Sequence, residues 1–137
     1  MSEPVPQSAA PSPPPRGLRR KTRFILLGIL VAPILIFTLY TVTALSVDYS
    51  EGERAGILQK FSRKGWVCKT YEGELAMTTV PGVAPVIWEF SVREDAVAEG
   101  LRRAIGKPVA LHYREHRGVP TKCFGETRYF VDGVIIR

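Results

Sequence analysis

The chain has 137 residues, enough for one domain with appended segments, and its formal net charge is +6. Residues 1–23 hold five basic residues and one acidic residue, whereas residues 48–137 hold 14 basic and 12 acidic residues. Because the larger part is nearly balanced, the positive charge does not indicate a nucleic-acid-binding protein, and no nucleic-acid partner is expected.

The N-terminal segment combines proline with positive charge. Residues 1–15 contain six prolines, which fix φ and remove backbone donors, so neither a helix nor a strand is expected there. Five basic residues then lie between Arg16 and Arg23, directly before an apolar segment. Such a flank is typical of the cytoplasmic side of a membrane span. We therefore predict a disordered, Pro-rich, basic cytoplasmic tail over residues 1–23.

Residues 24–47 contain no Asp, Glu, Lys, Arg or His. As a helix they would measure about 36 Å, enough to cross a hydrocarbon core of about 30 Å. We predict an uncleaved transmembrane helix, kinked at Pro33, in the inner (cytoplasmic) membrane. The N-terminus would be cytoplasmic and the C-terminal domain periplasmic or otherwise extracytoplasmic. The alternative is a cleavable signal peptide, with a cleavage site near Val42-Thr43-Ala44.

The two cysteines, Cys68 and Cys123, both follow the apolar segment. If that segment exports the remainder, they lie in an oxidising compartment where a disulfide can form. The bond would close a loop of about 55 residues and stabilise the fold by about 4 kcal/mol in the chain-entropy model. The sequence leaves open whether they pair or remain two separate buried thiols.

The pattern of residues 48–137 predicts a small, mainly β domain. Residues 48–53 are polar and predict a linker, and residues 54–137 are predicted to form the exported domain. Alternating patterns predict five strands, and the spacing of Val97, Leu101 and Ala104 predicts a helix between the third and fourth. The predicted strands are Arg54–Phe61, Trp66–Met77 (bent or bulged at Gly73), Val86–Val92, Val109–Tyr113 and Tyr129–Ile136, and the helix is Glu94–Ile105.

The order β-β-β-α-β-β resembles the OB-fold, a five-stranded barrel with its helix between strands three and four. An SH3-like barrel or an open α+β sheet is the alternative. Large apolar residues are expected to dominate the core: Ile57, Phe61, Trp66, Trp88, Phe90, Leu101, Leu111, Tyr129 and Val131.

The OB analogy also predicts a binding face on strands two and three, flanked by the first turn and the last loop. The residues it selects for ligand binding are Arg63, Lys64, Lys69, Tyr71, Lys122 and Arg128. Their charge suits an anionic glycan, a lipid headgroup or an acidic partner.

Candidate catalytic groups are few. His112 and His116 would lie about 13 Å apart along a strand, so we expect solvated surface histidines and no metal site. Glu72 and Glu74 would lie about 7 Å apart on one face, as exposed carboxylates. Ser62 lies in a predicted turn without a nearby histidine in sequence. We therefore expect no catalytic residue, no cofactor and no enzymatic activity.

Five segments carry a family resemblance: Tyr49–Gly56, Lys60–Gly65, Lys69–Glu74, Trp88–Val92 and Tyr129–Asp132. Together they resemble a family of small bacterial single-pass membrane proteins of unknown function, whose members often carry the label 6-phosphogluconate dehydrogenase. The resemblance covers most of residues 49–135. The labelled activity would require a dinucleotide-binding domain, but the chain lacks a Gly-x-Gly-x-x-Gly fingerprint and is too short to contain that domain.

One anchor followed by an OB-like barrel also resembles the periplasmic haem chaperone of cytochrome c maturation. The His-Asp-Glu-Asn-Tyr type of haem-attaching motif of that family is not found in this sequence. The sequence therefore predicts a membrane-anchored, non-enzymatic binding or assembly module of the bacterial envelope. Its expected partners are the lipid bilayer and another membrane or envelope protein. The alternatives are a carrier of an anionic or haem-like ligand, and an enzyme.

Overall fold

The computed structural model describes residues 9, 10, 12, 16–77 and 80–137. The chain divides into two compact units, Met1–Thr38 and Leu39–Arg137, and all the strands belong to the second. The elements are α1 (Arg16–Ser46), β1 (Ser50–Lys64), β2 (Thr70–Met77), β3 (Val86–Val92), α2 (Asp95–Arg103), β4 (Pro108–Glu115) and β5 (Tyr129–Ile136).

Helix α1 contains the predicted apolar segment except its last residue, Val47. Its portion Arg19–Ser46 has 28 residues and is long and apolar enough to span a membrane. The helix continues through Pro33 and begins already at Arg16, so the basic residues predicted to be disordered are helical. Arg and Lys are good helix formers, and a helix once nucleated extends readily into them. Most of the predicted Pro-rich tail (residues 1–8, 11 and 13–15) lies outside the described residues.

The five strands form one mixed sheet in the order β1-β2-β3-β5-β4, and β4 pairs back with β1, so the sheet closes on itself. The β3–β5 pair is parallel and the other pairs are antiparallel. The N-terminal apolar helix, the five strands and the second helix therefore occur in the predicted order.

Strand boundaries differ from the predictions in the first half of this unit. The predicted linker at residues 48–53 is too long, because Ser50 already pairs with Glu115 and β1 runs from there to Lys64. In contrast, β2 begins at Thr70 rather than at Trp66. The intervening residues form a turn in place of the start of a strand.

The bulge predicted at Gly73 lies in β1 instead, where the register shifts between Leu58 and Lys60. Strand β2 continues through Gly73 without interruption. A Cβ atom on Gly73 would overlap the ring of Phe90. The glycine therefore makes room for an aromatic ring inside the closed sheet, a role that a one-dimensional pattern does not distinguish from a bulge.

The core lies inside the closed sheet and beneath α2, which contributes Val97, Ala98 and Leu101. Five of the nine predicted core residues are buried: Trp88, Phe90, Leu101, Leu111 and Val131. Ile57 is partly buried, and Phe61 and Tyr129 are partly buried against the core. Trp66 is the clear exception, because its side chain is fully exposed.

Candidate functional site at a disulfide-linked turn

Residues Gly65–Lys69, named here the tryptophan turn, connect β1 to β2. Gly65 has a φ of 129°, a conformation that strongly favours glycine, and a Cβ at this position would overlap the carbonyl oxygen of Cys68. The tight backbone directs the next two side chains outward. Trp66 is fully exposed and Val67 is 96% exposed.

A disulfide joins Cys68 of the tryptophan turn to Cys123, with the two Cα atoms 4.9 Å apart. Cys123 belongs to residues 116–128, named here the long loop, which connects β4 to β5. The two cysteines that the sequence left unassigned therefore link the first turn of the sheet to its last loop. This covalent bond limits the freedom of the turn that presents Trp66.

The long loop is also held by a buried polar cluster. Glu72 is only 6% exposed and accepts hydrogen bonds from Thr70 Oγ1 (2.7 Å), Ser91 Oγ (2.6 Å) and the Glu126 amide (3.0 Å). The Thr127 amide donates to Ser91 Oγ at 3.0 Å. The expectation that Glu72 is an exposed carboxylate is therefore wrong, because the long loop covers it. Its Oε1 holds the loop directly through the Glu126 amide, and its Oε2 acts through Ser91 Oγ, which accepts from the Thr127 amide.

Positive charge surrounds the tryptophan turn. No acidic residue occurs between Phe61 and Tyr71, whereas Arg63, Lys64 and Lys69 are all exposed. The Arg63 guanidinium carbon lies 5.5 Å from the Tyr71 ring centre. Lys64 Nζ lies 4.0 Å from Glu126 Oε2, a long and exposed ion pair. The exposed apolar side chains of the turn therefore project from a cationic surface.

The six predicted ligand-binding residues line three cavities. Arg63, Lys69 and Tyr71 line a cavity of about 230 Å³ beside Cys123 and Phe124. Lys64 and Lys122 line a second cavity of about 170 Å³ on the outer face of β2 and β3. Lys122 and Arg128 line a third, of about 630 Å³, along the long loop. The structure thus brings only three of the six together, and ligand binding by this set stays a prediction.

Tyr71 is held in place by the side chains around it. Its ring stacks on Phe61 with centroids 5.9 Å apart, and its hydroxyl donates to Asp95 Oδ1 at 3.0 Å. The residue therefore forms a wall of the cavity of about 230 Å³ that Arg63 and Lys69 also line, and its hydroxyl already has a partner at the start of α2.

The two histidines have different environments. His116 is buried: its Nδ1 lies 3.3 Å from the Val47 carbonyl oxygen, and its ring packs on Phe130. The expectation of a solvated histidine is wrong here, because the end of β4 is covered by the residues that precede β1. His112 is half-buried, and its Nδ1 contacts Asp132 Oδ1. Both imidazoles therefore belong to the packing around β4.

A second cluster was not predicted from the sequence. The Arg54 guanidinium carbon lies 4.8 Å from the Trp88 ring centre, 5.4 Å from that of Tyr113 and 5.7 Å from that of Tyr129. Within the described part of the chain Arg54 forms no ion pair, and Arg54 Nη1 lies 3.7 Å from Met77 Sδ. The sequence around Arg54 carries no local signal for this cluster, because its aromatic neighbours come from three other strands.

The tryptophan turn was missed because large aromatic residues are usually buried and the turn signal was placed three residues too early. The available signal was Gly65 directly before Trp66-Val67-Cys68, in a segment without an acidic residue.

Comparison with known proteins adds one finding. Residues 48–131 match the family described as "Domain of unknown function (DUF8785)". No curated protein matches the chain.

Proposed function

The chain belongs to the DUF8785 family of domains of unknown function, and we propose that it is a membrane-anchored, non-enzymatic binding module that recruits another protein. The observation that carries this proposal is the fully exposed Trp66 on a turn fixed by a disulfide. The candidate membrane helix supplies the anchor, and the tryptophan turn supplies the contact surface.

The exposure of Trp66 favours a binding role. A tryptophan side chain buries about 150–250 Å² when it packs, which is worth about 4 kcal/mol or more at about 25 cal/mol per Å². Trp66 is not buried in this chain and does not contribute that stabilisation, and the neighbouring Val67 is also exposed. Tryptophan and arginine are among the residues that most often dominate binding energy in protein interfaces. Since Gly65 and the disulfide already restrict the turn, less entropy is lost when a partner orders it.

The chemistry of the turn specifies the kind of partner. Trp66 and Val67 would enter an apolar pocket, while Arg63, Lys64 and Lys69 surround them with positive charge. The complementary surface is an apolar pocket with an acidic rim on another envelope protein. We expect the cations to accelerate encounter and the tryptophan to supply most of the affinity.

The strand order and the helix between β3 and β4 support an OB-like barrel. In OB-folds the first turn and the last loop flank the binding face. The tryptophan turn and the long loop occupy those two positions here. The positive flank of α1 supports a cytoplasmic N-terminus and an extracytoplasmic second unit, where a disulfide is expected to persist.

A carrier of a small anionic ligand is the second candidate, favoured by the cavity that Arg63, Lys69 and Tyr71 line. Its volume of about 230 Å³ lies below the roughly 300–1,000 Å³ of usual small-molecule sites. A haem-sized ligand would need more room. Recruitment of a protein partner therefore explains the exposed Arg63 and Lys69 better than a carrier role does.

Site-specific photo-crosslinking in intact cells tests the proposal. A photoreactive amino acid at position 67, in the full-length protein, should give one discrete protein adduct. The matched control places the same amino acid at position 83, because Val83 is also apolar and exposed but lies in the β2–β3 connection. Trp66→Ala should abolish the adduct formed from position 67. Equal adducts from both positions, or an adduct that is insensitive to Trp66→Ala, would reject the tryptophan turn as the contact surface.

A further inference from the structure

We infer that residues 116–128, together with the end of α1, form a binding site for the headgroup of an anionic phospholipid. This inference rests on the membrane-anchored part of the proposed function and concerns a different surface from the tryptophan turn. Two adjoining concavities carry it. One is cationic and the other is mainly apolar, and Arg117 lines both.

The cationic concavity, named here the loop basin, has a volume of about 630 Å³ and follows the long loop. Its cations are Arg117, Lys122 and Arg128; the acidic Glu126 also lines it, with its Oε2 4.0 Å from Lys64 Nζ. Arg117 Nε donates to Glu115 Oε1 at 3.2 Å, and Arg128 Nη1 lies 3.8 Å from the same oxygen. Two arginines thus share one carboxylate, so their combined charge is only half neutralised. Within the described ranges Lys122 forms no ion pair.

The apolar concavity, named here the helix-end groove, has a volume of about 370 Å³. Tyr40, Ala44, Val47 and Tyr49 supply most of its walls, and the carboxylate of Asp48 is engaged by Arg114 at 3.5 Å. These residues belong to the end of the apolar helix and the short connection after it. Tyrosines at such an end typically lie at the membrane–water interface.

Two contacts hold the long loop against this helix end. The Tyr40 hydroxyl donates to the Gly118 carbonyl oxygen at 2.9 Å. The Arg117 guanidinium carbon lies 3.5 Å from the Tyr49 ring centre, so this side chain is fixed between an aromatic ring and Glu115. The remaining N–H groups of Arg117 are free to bind a phosphate, because no ion pair or hydrogen bond within the described ranges occupies them.

The combination matches one class of ligand. A phosphodiester in the loop basin would meet Arg117, Arg128 and Lys122, while the upper part of an acyl chain would pack along the helix-end groove. Basic pockets beside membrane helices favour anionic lipid headgroups for this electrostatic reason. A zwitterionic lipid offers the same apolar chain but no net charge, so the site should discriminate between the two.

Native mass spectrometry of the full-length protein in detergent tests this inference. After incubation with equal amounts of phosphatidylglycerol and phosphatidylcholine, the protein should retain phosphatidylglycerol at least fivefold more often. Arg117→Gln with Arg128→Gln should remove that preference. The control pair, Arg102→Gln with Arg103→Gln, removes two exposed arginines of α2 and should leave the preference unchanged. Lys122→Gln, which breaks no ion pair in the described residues, should reduce the preference about twofold.

The contribution of the groove can be separated from that of the basin. Soluble glycerophosphoglycerol has the same headgroup chemistry without acyl chains and should compete only at much higher concentration. Three results would overturn the inference: competition by glycerophosphoglycerol at the same concentration as the intact lipid, equal retention of both lipids, or full preference in the glutamine pair. Such a failure would leave photo-crosslinking at position 67 unaffected. Recovery of the protein in the soluble cell fraction would instead reject the membrane anchor itself.

Discussion

The two tryptophans of this chain occupy opposite environments within the same unit. Trp88 is 6% exposed, and its ring contacts Phe90, Tyr113 and Tyr129 with the Arg54 guanidinium above it. Trp66 is fully exposed on a turn that a glycine and a disulfide shape. The first environment holds the closed sheet together. The exposed Trp66 side chain itself contributes little to folding, which supports the proposed role in recognition.

Removing Trp88 should have one of the largest effects on stability. Trp88→Ala removes a buried ring and leaves a cavity, so we expect the free energy of unfolding to fall by about 3–5 kcal/mol. Trp66→Ala removes the same number of atoms from an exposed position and should change it by no more than about 0.5 kcal/mol. Pulse proteolysis of the full-length protein across a urea series measures both. Similar losses for the two variants would contradict the division of roles.

The disulfide has two roles: it stabilises the fold, and it fixes the turn that presents Trp66. Replacing Cys68 and Cys123 together by serine should lower the free energy of unfolding by up to about 4 kcal/mol, since a loop of about 55 residues is released. The same urea series, with and without reductant, tests this. Reductant should weaken the wild-type protein and leave the double variant unchanged; an unaffected wild type would show that the bond contributes nothing.

Substitution of Glu72 tests whether its buried carboxylate fixes the long loop. Glu72→Ala leaves Thr70 Oγ1, Ser91 Oγ and the Glu126 amide without their acceptor, and the expected cost is about 2–3 kcal/mol. Glu74→Ala, which removes only a surface ion pair with Lys60, should cost less than about 1 kcal/mol. Faster hydrogen exchange in residues 124–128 should accompany the first variant only. Unchanged exchange there would argue against a role for Glu72 in fixing the loop.

Among the changes expected to destabilise the fold, Arg54→Ala should have the smallest effect. Each of its three aromatic contacts is worth about 0.5–1 kcal/mol, so Arg54→Ala should cost about 2 kcal/mol. Arg103→Ala, at an exposed position on α2, serves as the control and should cost no more than about 0.5 kcal/mol. Thermal unfolding followed by circular dichroism resolves the difference. Equal midpoints for both variants would remove Arg54 from the stabilising cluster.

The sequence predicted the elements of this chain better than their ends. Alternation at Val86, Trp88, Phe90 and Val92 identified β3, because the last three of these side chains are buried. The start of β1 was missed because Ser50–Glu53 is polar, and only its pairing with β4 makes it a strand. Pairing with a strand about 60 residues away leaves no local periodic signal.

The candidate site was less predictable, because it too depends on contacts between residues that are far apart in the sequence. The cations Arg63 and Lys69 were identified from fold analogy, but their separation from Arg128 depends on the path of the long loop. The burial of Glu72 depends on that path as well, since Thr127 and Glu126 cover it. Trp66 was misplaced in the core because hydrophobicity alone does not reveal that Gly65 turns the chain outward.

The most direct test of the central claim is the affinity of the full-length protein, in lipid nanodiscs, for the partner that position 67 captures. Trp66→Ala should weaken binding at least tenfold, or about 1.4 kcal/mol, through faster dissociation. Ile135→Ala is the matched control, because Ile135 is also apolar and exposed but lies on β5, and it should bind like the wild type. Equal affinity of all three proteins would contradict the account, because the exposed tryptophan would then make no contribution to recognition.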